Sequence, residues 1–312
     1  RIDKVKTQTQ HNLILDGDAL GGGGIAINGG TTVIDNCIIH GNTVGTNMYQ
    51  LNGGGGILCG FNFSDTPLEL TTTNTIIYNN IANIGAGIGA LSGNIELDRV
   101  LIYGNTGDYG SAVCLGEPLG LVVDNINMII TNSTIANNSG TLSFGLIDNS
   151  SVIIANSILL NNGSYEFTNL PNNSTLDVNA FHSDINLSDN IETTNSISTD
   201  PMFIDYPNNN LNLTSNSPCV NTGTNMLIID GNTIIDMPVS EYHGIMPDMG
   251  YFELTTTGDV NQDNNINIFD IILLVEIILY SGDYIVYGDI DQSGVIDIID
   301  IIDLINIILD AK

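Results

Sequence analysis

The chain has 312 residues with 35 acidic and five basic side chains, a net charge of −30. So few cations cannot neutralise phosphates, which excludes nucleic acid and disfavours anionic membranes or polyanionic sugars unless a divalent cation bridges them. Apolar content of 42% indicates a folded chain, no run approaches the ~18 apolar residues of a membrane span, and the length accommodates two domains or one repeat domain with an appendage.

In chain order, the opening RIDKVKTQTQ has no signal-like apolar stretch. A repeated unit follows, with no helix-period stretch before residue 265. A small-residue cluster leads into a short apolar strand at Gly22-Gly23-Gly24-Ile25, Gly54-Gly55-Gly56-Ile57, Gly85-Ala86-Gly87-Ile88, Gly110-Ser111-Ala112-Val113 and Phe144-Gly145-Leu146-Ile147. After each comes a second strand ending in asparagine, at Asn42, Asn80, Asn105, Asn138 and Asn162, with intervals of 38, 25, 33 and 24 residues. A unit this short cannot bury its apolar face alone. Stacking equivalent strands in parallel and in register solves the problem, with side chains alternating inward and outward. The repeated asparagine suits a tight corner, because it tolerates left-handed backbone angles and its amide can hydrogen-bond to the next in a stack.

The four cysteines (Cys37, Cys59, Cys114, Cys219) are too scattered for a disulfide framework or a metal site, and the first three read as buried, inert thiols inside strands. With Cys37/Ile39, Thr75/Ile77 and Val100/Ile102 inward, the outward stacks are Ile38-Ile76-Leu101-Thr134-Ile158 and His40-Tyr78-Tyr103-Ala136-Leu160. His40, Tyr78 and Tyr103 could then offer ring faces to a polysaccharide. The blander expectation is that inserted loops, the C-terminal module or a neighbouring subunit covers this face.

Residues 12–254 resemble right-handed parallel β-helix (solenoid) proteins. The closing segments Asp200-Pro201-Met202-Phe203-Ile204-Asp205, Ser217-Pro218-Cys219-Val220-Asn221-Thr222-Gly223 and Asp248-Met249-Gly250-Tyr251-Phe252-Glu253 resemble the end of many secreted bacterial members. That resemblance implies a fold more than a reaction. A lyase would need a cationic base, and only Arg99 lies within the coils. A glycosidase would need two spaced carboxylates, for which Glu96 with Asp98 or Asp108 with Glu117 are candidates without a recognisable motif.

After Thr255-Thr256-Thr257 the composition shifts. GDVNQDNNINIFD (258–270) and GDIDQSGVIDIID (288–300) stand thirty residues apart, each followed by an apolar helical stretch, 271–280 and 301–309. Calcium is a hard cation needing six or more oxygens, which a twelve-residue loop supplies. In the first loop the ligand positions are Asp259, Asn261, Asp263, Asn265 (backbone carbonyl), Asn267 and Asp270. In the second they are Asp289, Asp291, Ser293, Val295 (backbone carbonyl), Asp297 and Asp300. Gly294 suits the left-handed turn fully and Asn264 acceptably. Two such loops, each with one following helix, resemble a type I dockerin with EF-hand-type calcium loops.

The expected organisation is therefore mainly β: a parallel β-helix over 1–254, a linker over 255–257 and a small α-helical module over 258–312 holding two calcium ions. The resemblance implies a secreted or cell-surface protein and a cohesin-like partner. However, the positions where dockerins carry small hydroxylated contact residues are Ile268, Phe269, Ile298 and Ile299 here. A module of this size cannot hide all its isoleucines, so docking through those four residues onto a β-helix, its own or that of a neighbouring copy, is the alternative partnership. The leading expectation is a non-catalytic assembly protein, a stalk or scaffold. The competing one is a polysaccharide lyase, hydrolase or binding protein.

Overall fold

The computed structural model describes residues 12–14, 23–44, 53–60, 67–116, 126–140, 144–146, 150–160, 167–169, 177–185, 191–254, 257–261, 265–280, 286–291, 293 and 295–310. It is mainly β, with parallel sheets followed by two C-terminal helices. The chain alternates between two sheets. One has seven strands: Asn12–Ile14, Ile25–Ile27, Ile57–Cys59, Ile88–Ala90, Val113–Leu115, Phe144–Leu146 and Phe167–Asn169. All its pairs are parallel except the first, where Asn12–Ile14 runs antiparallel to Ile25–Ile27. The second has eleven strands and curls, an arrangement compatible with a solenoid.

In the second sheet the pairing is that read from the sequence. Ile38, Ile76, Leu101, Thr134 and Ile158 fall in one column, and His40, Tyr78, Tyr103, Ala136 and Leu160 in another. Between them Ile39, Ile77 and Ile102 are fully buried and join one continuous core running from Ile25 to Ile185. Leu68–Tyr78 and Gly93–Tyr103 are each single strands of 11 residues, passing through a corner that their neighbours break.

Two sets of corner residues do separate work. Asn42 donates its amide to Asn80 Oδ1 at 2.8 Å, Asn80 to Asn105 at 2.9 Å and Asn105 to Asn138 at 2.9 Å, a buried ladder across four coils. Asn162 lies outside the described residues. The left-handed backbone falls not on these asparagines but on the residue before each: Gly41, Asn79, Gly104 and Asn137 have φ of 67°, 53°, 64° and 55°. The ladder asparagines need their side chains turned inward, so the neighbour takes the turn. The glycine clusters follow from the same crowding. A Cβ on Gly24 or Gly56 would come 2.5 or 2.6 Å from a carbonyl of the next coil, with the ladder amides of Asn42 and Asn80 close by. The fifth cluster is the exception: Phe144, rather than Ile147, pairs with Val113. It has no glycine run to mark its register.

The outward column is covered by the domain's own closing segment. Leu101, Ala136 and Leu211 are buried together, with Phe203, Tyr206, Tyr251 and Phe252 packed on them. A hairpin of Met226–Ile229 and Asn232–Asp236 covers a further stretch, where Ile235, Met237 and Tyr242 pack on Ala155. All four cysteines are buried and outside any disulfide, as expected for Cys37, Cys59 and Cys114, and burial pushes the Cys59 thiol up to about 12. Among the described residues no helix is long and apolar enough to cross a membrane.

Candidate metal centre

The C-terminal helices are α1 (Ile268–Tyr280) and α2 (Ile298–Asp310). They enclose a small core of Val260, Leu274 and Leu304, against which Ile266 and Ile296 pack, the isoleucines at matching places in the two repeats. Each helix begins with the same device. Asn267 Oδ1 accepts the Phe269 amide at 2.9 Å, and Asp297 Oδ1 accepts the Ile299 amide at 2.7 Å. In return Asp270 accepts the Asn267 amide and Asp300 the Asp297 amide, each at 2.7 Å. This is a reciprocal capping box. The pattern Asn267-x-x-Asp270 and Asp297-x-x-Asp300 carries that signal in the sequence, superimposed on the ligand spacing.

The second oxygens of Asp270 and Asp300 turn the other way. Asp270 Oδ1 accepts the Asn261 amide at 3.0 Å, and Asp300 Oδ1 accepts the Ile290 amide at 2.6 Å and the Asp291 amide at 3.3 Å. One carboxylate thus fastens the end of each segment to its beginning. Asp270 and Asp300 are fully buried, and Asp259 and Asp289 nearly so. Carboxylate oxygens of Asp289, Asp291 and Asp300 all lie within 4.8 Å of one another. Three carboxylates that close, two of them buried, repel one another and are costly to desolvate unless a cation lies among them. An all-oxygen, anionic donor set fits a hard divalent ion.

Of the remaining expected ligands, Ser293 donates its amide to both Asp289 and Asp291 at 3.0 Å and its hydroxyl to the Val295 carbonyl at 3.1 Å. In the first segment the Asn267 side-chain amide donates to the Asn265 carbonyl at 2.8 Å. Asp263, with Asn264 and Gly294, lies outside the described residues.

The four docking candidates face outward. Ile268, Phe269, Ile298 and Ile299 are 63%, 64%, 66% and 49% exposed, so within one chain they do not pack on the β domain. Where the two parts do touch, His243 meets Tyr287 edge-on at a centroid distance of 5.6 Å.

The aromatic column has a different geometry from a sugar platform. His40 stacks on Tyr78 at 4.7 Å and 5°, and Tyr78 on Tyr103 at 5.0 Å and 3°. Both faces of Tyr78 are therefore taken by its neighbours. Burial, and then Tyr78, raise the Tyr103 phenol.

Glu96 and Asp98 lie two residues apart on one strand and line a cavity of about 250 Å³ beneath Thr233, Ile234, Asp236 and Glu241. Asp98 is engaged by Thr131 at 2.8 Å and Asn132 at 2.6 Å. Arg99 pairs with Asp98 at 3.5 Å and, more tightly, with Glu241 from 142 residues away. It is the one Lys or Arg among the described residues. It also has φ of 52°, in a corner column otherwise formed by Asn36, Asn74, Asn132, Asn156, His182 and Asn195. Its two carboxylate partners leave it poorly suited to act as a free base. Asp108 is exposed, and Glu117 lies outside the described residues.

No family model matches this chain, and neither does any curated protein or solved structure.

Proposed function

We propose that the protein is a non-catalytic extracellular or cell-surface scaffold: a right-handed parallel β-helix carrying a dockerin-like module with two EF-hand-type calcium sites. The module, stabilised by calcium, joins the chain to a protein partner through its exposed apolar face. The observation that carries this reading is the paired arrangement of Asp270 and Asp300, two buried carboxylates thirty residues apart that fasten equivalent segments. Beside Asp300, Asp289 and Asp291 add oxygens within 4.8 Å. A calcium ion there would meet carboxylate oxygens of those three residues, with the Ser293 hydroxyl, the Asp297 side chain and the Val295 carbonyl as the further oxygens of its segment. Asp259, Asn261, Asp263, Asn265, Asn267 and Asp270 are the corresponding set in the first segment. Calcium supplies the positive charge that lets these oxygens converge, and the residues themselves fix the helix starts.

The docking face is Ile268, Phe269, Ile298 and Ile299. Its partner is a neighbouring copy of this chain, with a cohesin-like domain the other candidate. Docking onto the next molecule is heterologous, and such contacts propagate into a filament unless they close into a ring. Isothermal titration with calcium, together with light scattering of the full chain, tests both parts. Two ions should bind, and particle mass should rise with calcium. Charged substitution of the four docking residues should abolish that rise and leave both ions bound. A single ion, or a variant with unchanged mass, would overturn the respective part. Unsaturated or reducing ends released from a uronate polymer would favour the enzymatic reading instead.

A further inference from the structure

The two C-terminal helices bury one side in their shared core and leave the other bare, and the bare sides follow one rule. In α1, Ile268, Ile272, Val275 and Leu279 stand at intervals of four, three and four residues. In α2, Ile298, Ile302, Ile305 and Leu309 repeat the series, each thirty residues on. At 3.6 residues per turn each series forms one stripe along the helix. Every member is exposed except Val275, which is half-buried, whereas Leu274 and Leu304 on the other side are fully buried. No charged residue interrupts either stripe. Alternating steps of three and four set apolar side chains where a facing helix offers holes for them, so a stripe of this spacing fits a second helix. Among the described residues α1 and α2 are the only α-helices, and they already share a core through their buried sides. In a second copy of this chain the matching surface is therefore the same pair of stripes.

We propose that the docking face is a helix–helix seam: the module of one copy pairs with the module of a second, α1 on α2 and α2 on α1, and the assembly closes at two. This rests on the reading that the partner is a second copy, and it extends the docking face from the helix starts along both helices. Of the two outcomes open to such docking, filament or closed ring, the seam selects the closed one. If α1 met α1, the α2 stripes of both copies would stay in water. When α1 meets α2, a two-fold axis returns the same contact and all the stripes are covered, which leaves none to recruit a third copy. The available area agrees. By the transfer scale, one fully buried Ile, Leu or Phe corresponds to roughly 60–120 Å² of apolar surface. The exposed parts of both stripes, with Phe269, Ile299 and Tyr280 beside them, then come to roughly 350–700 Å² per module. A standard interface takes about 800 Å² from each partner, about 65% of it apolar at the core. Two stripes together reach that requirement and one alone does not.

Sedimentation of the full chain in saturating calcium and about 300 mM sodium chloride, where charge repulsion is screened within less than about 8 Å, reads the assembly. The mass should rise from 33.2 kDa to twice that value and stop. Ile272→Glu combined with Ile302→Glu puts charge in mid-stripe, away from the proposed calcium ligands. It should weaken pairing at least about a hundredfold, while both ions stay bound and the helical circular dichroism persists. Cross-linking with a short thiol reagent is an independent readout, because all four native cysteines are buried. A chain bearing Ile272→Cys mixed with one bearing Ile302→Cys should link faster than either alone, and this arm decides if the Glu variant loses its helices. A mass that grows beyond two chains, pairing that survives in a folded Glu variant, or faster linkage within either Cys variant than between them would overturn the proposal. Those outcomes leave a second copy as the partner. A wild type that stays at 33.2 kDa with two ions bound and its helices formed would sink that reading itself, and the seam with it.

Discussion

Asparagine does two jobs in each coil, one position apart. Asn105 is fully buried, and its Oδ1 accepts both the backbone and side-chain amides of Asn80. Its own amide reaches Asn138, Ile77 and Tyr103. Asn105→Ala therefore orphans several buried groups at about 1–3 kcal/mol each, and a total loss of about 3–5 kcal/mol is expected by denaturant unfolding. Asn127, exposed and bonded at its side chain to Asn94 at 2.9 Å, should cost less than about 0.5 kcal/mol when changed to Ala. The preceding position answers to different physics. At Asn79 the requirement is a left-handed backbone, so Asn79→Gly should be nearly neutral and Asn79→Ala should cost about 1 kcal/mol. A comparable penalty in both would show that the side chain, not the backbone, matters there.

At the scale of elements, α1 and α2 have 13 residues each, a length that is marginal for an isolated helix in water. Each starts on a capping box whose acidic member is also a proposed calcium ligand. Removing calcium should therefore strip the charge compensation from the same residues that start the helices. Chelation is expected to abolish the helical circular dichroism signal while the β signal persists, because the coils draw stability from one another. The second site should bind more tightly, since four of its expected side-chain ligands are carboxylates (Asp289, Asp291, Asp297, Asp300) against three in the first (Asp259, Asp263, Asp270). Asp300→Asn should reduce the titrated ion count from two to one and leave the first site filled. Equal loss at both sites would mean that the two segments fold as one cooperative unit.

For the whole molecule, a net charge of −30 sets the terms of any self-association. Like-charged chains repel over roughly a Debye length, about 8 Å at physiological salt. If the apolar docking face joins copies of this chain, particle mass at fixed calcium should rise between about 20 mM and 300 mM sodium chloride as that repulsion is screened. Charged substitution at Ile268, Phe269, Ile298 and Ile299 should remove the rise. Falling mass with salt would instead point to a basic partner held by charge. Long-range closure within the chain follows a similar logic. Arg99 joins the sheet to Glu241 across 142 residues, and a partly exposed pair of this kind contributes at most about 1 kcal/mol. The apolar packing of the closing segment on Leu101 and Ala136 is therefore the larger contribution to keeping that segment in place.

The sequence alone determined whatever is repeated. The column of Ile38, Ile76, Leu101, Thr134 and Ile158 and the asparagine ladder were legible because every coil meets the same packing problem and answers it with the same residue type at the same offset. The paired acidic segments were legible for a related reason: thirty-residue spacing reproduces one donor pattern twice. Tertiary structure decided what happens once. It placed the left-handed turn on the residue before each ladder asparagine, which depends on where the neighbouring coil lies. It set Phe144 rather than Ile147 opposite Val113, and it covered the outward column with residues 203–252. It stacked His40, Tyr78 and Tyr103 on one another instead of leaving their faces free. It also brought His243 beside Tyr287. Contacts between segments far apart in the chain have no period, so no pattern along the sequence announces them; only the folded path of the chain brings their partners within reach.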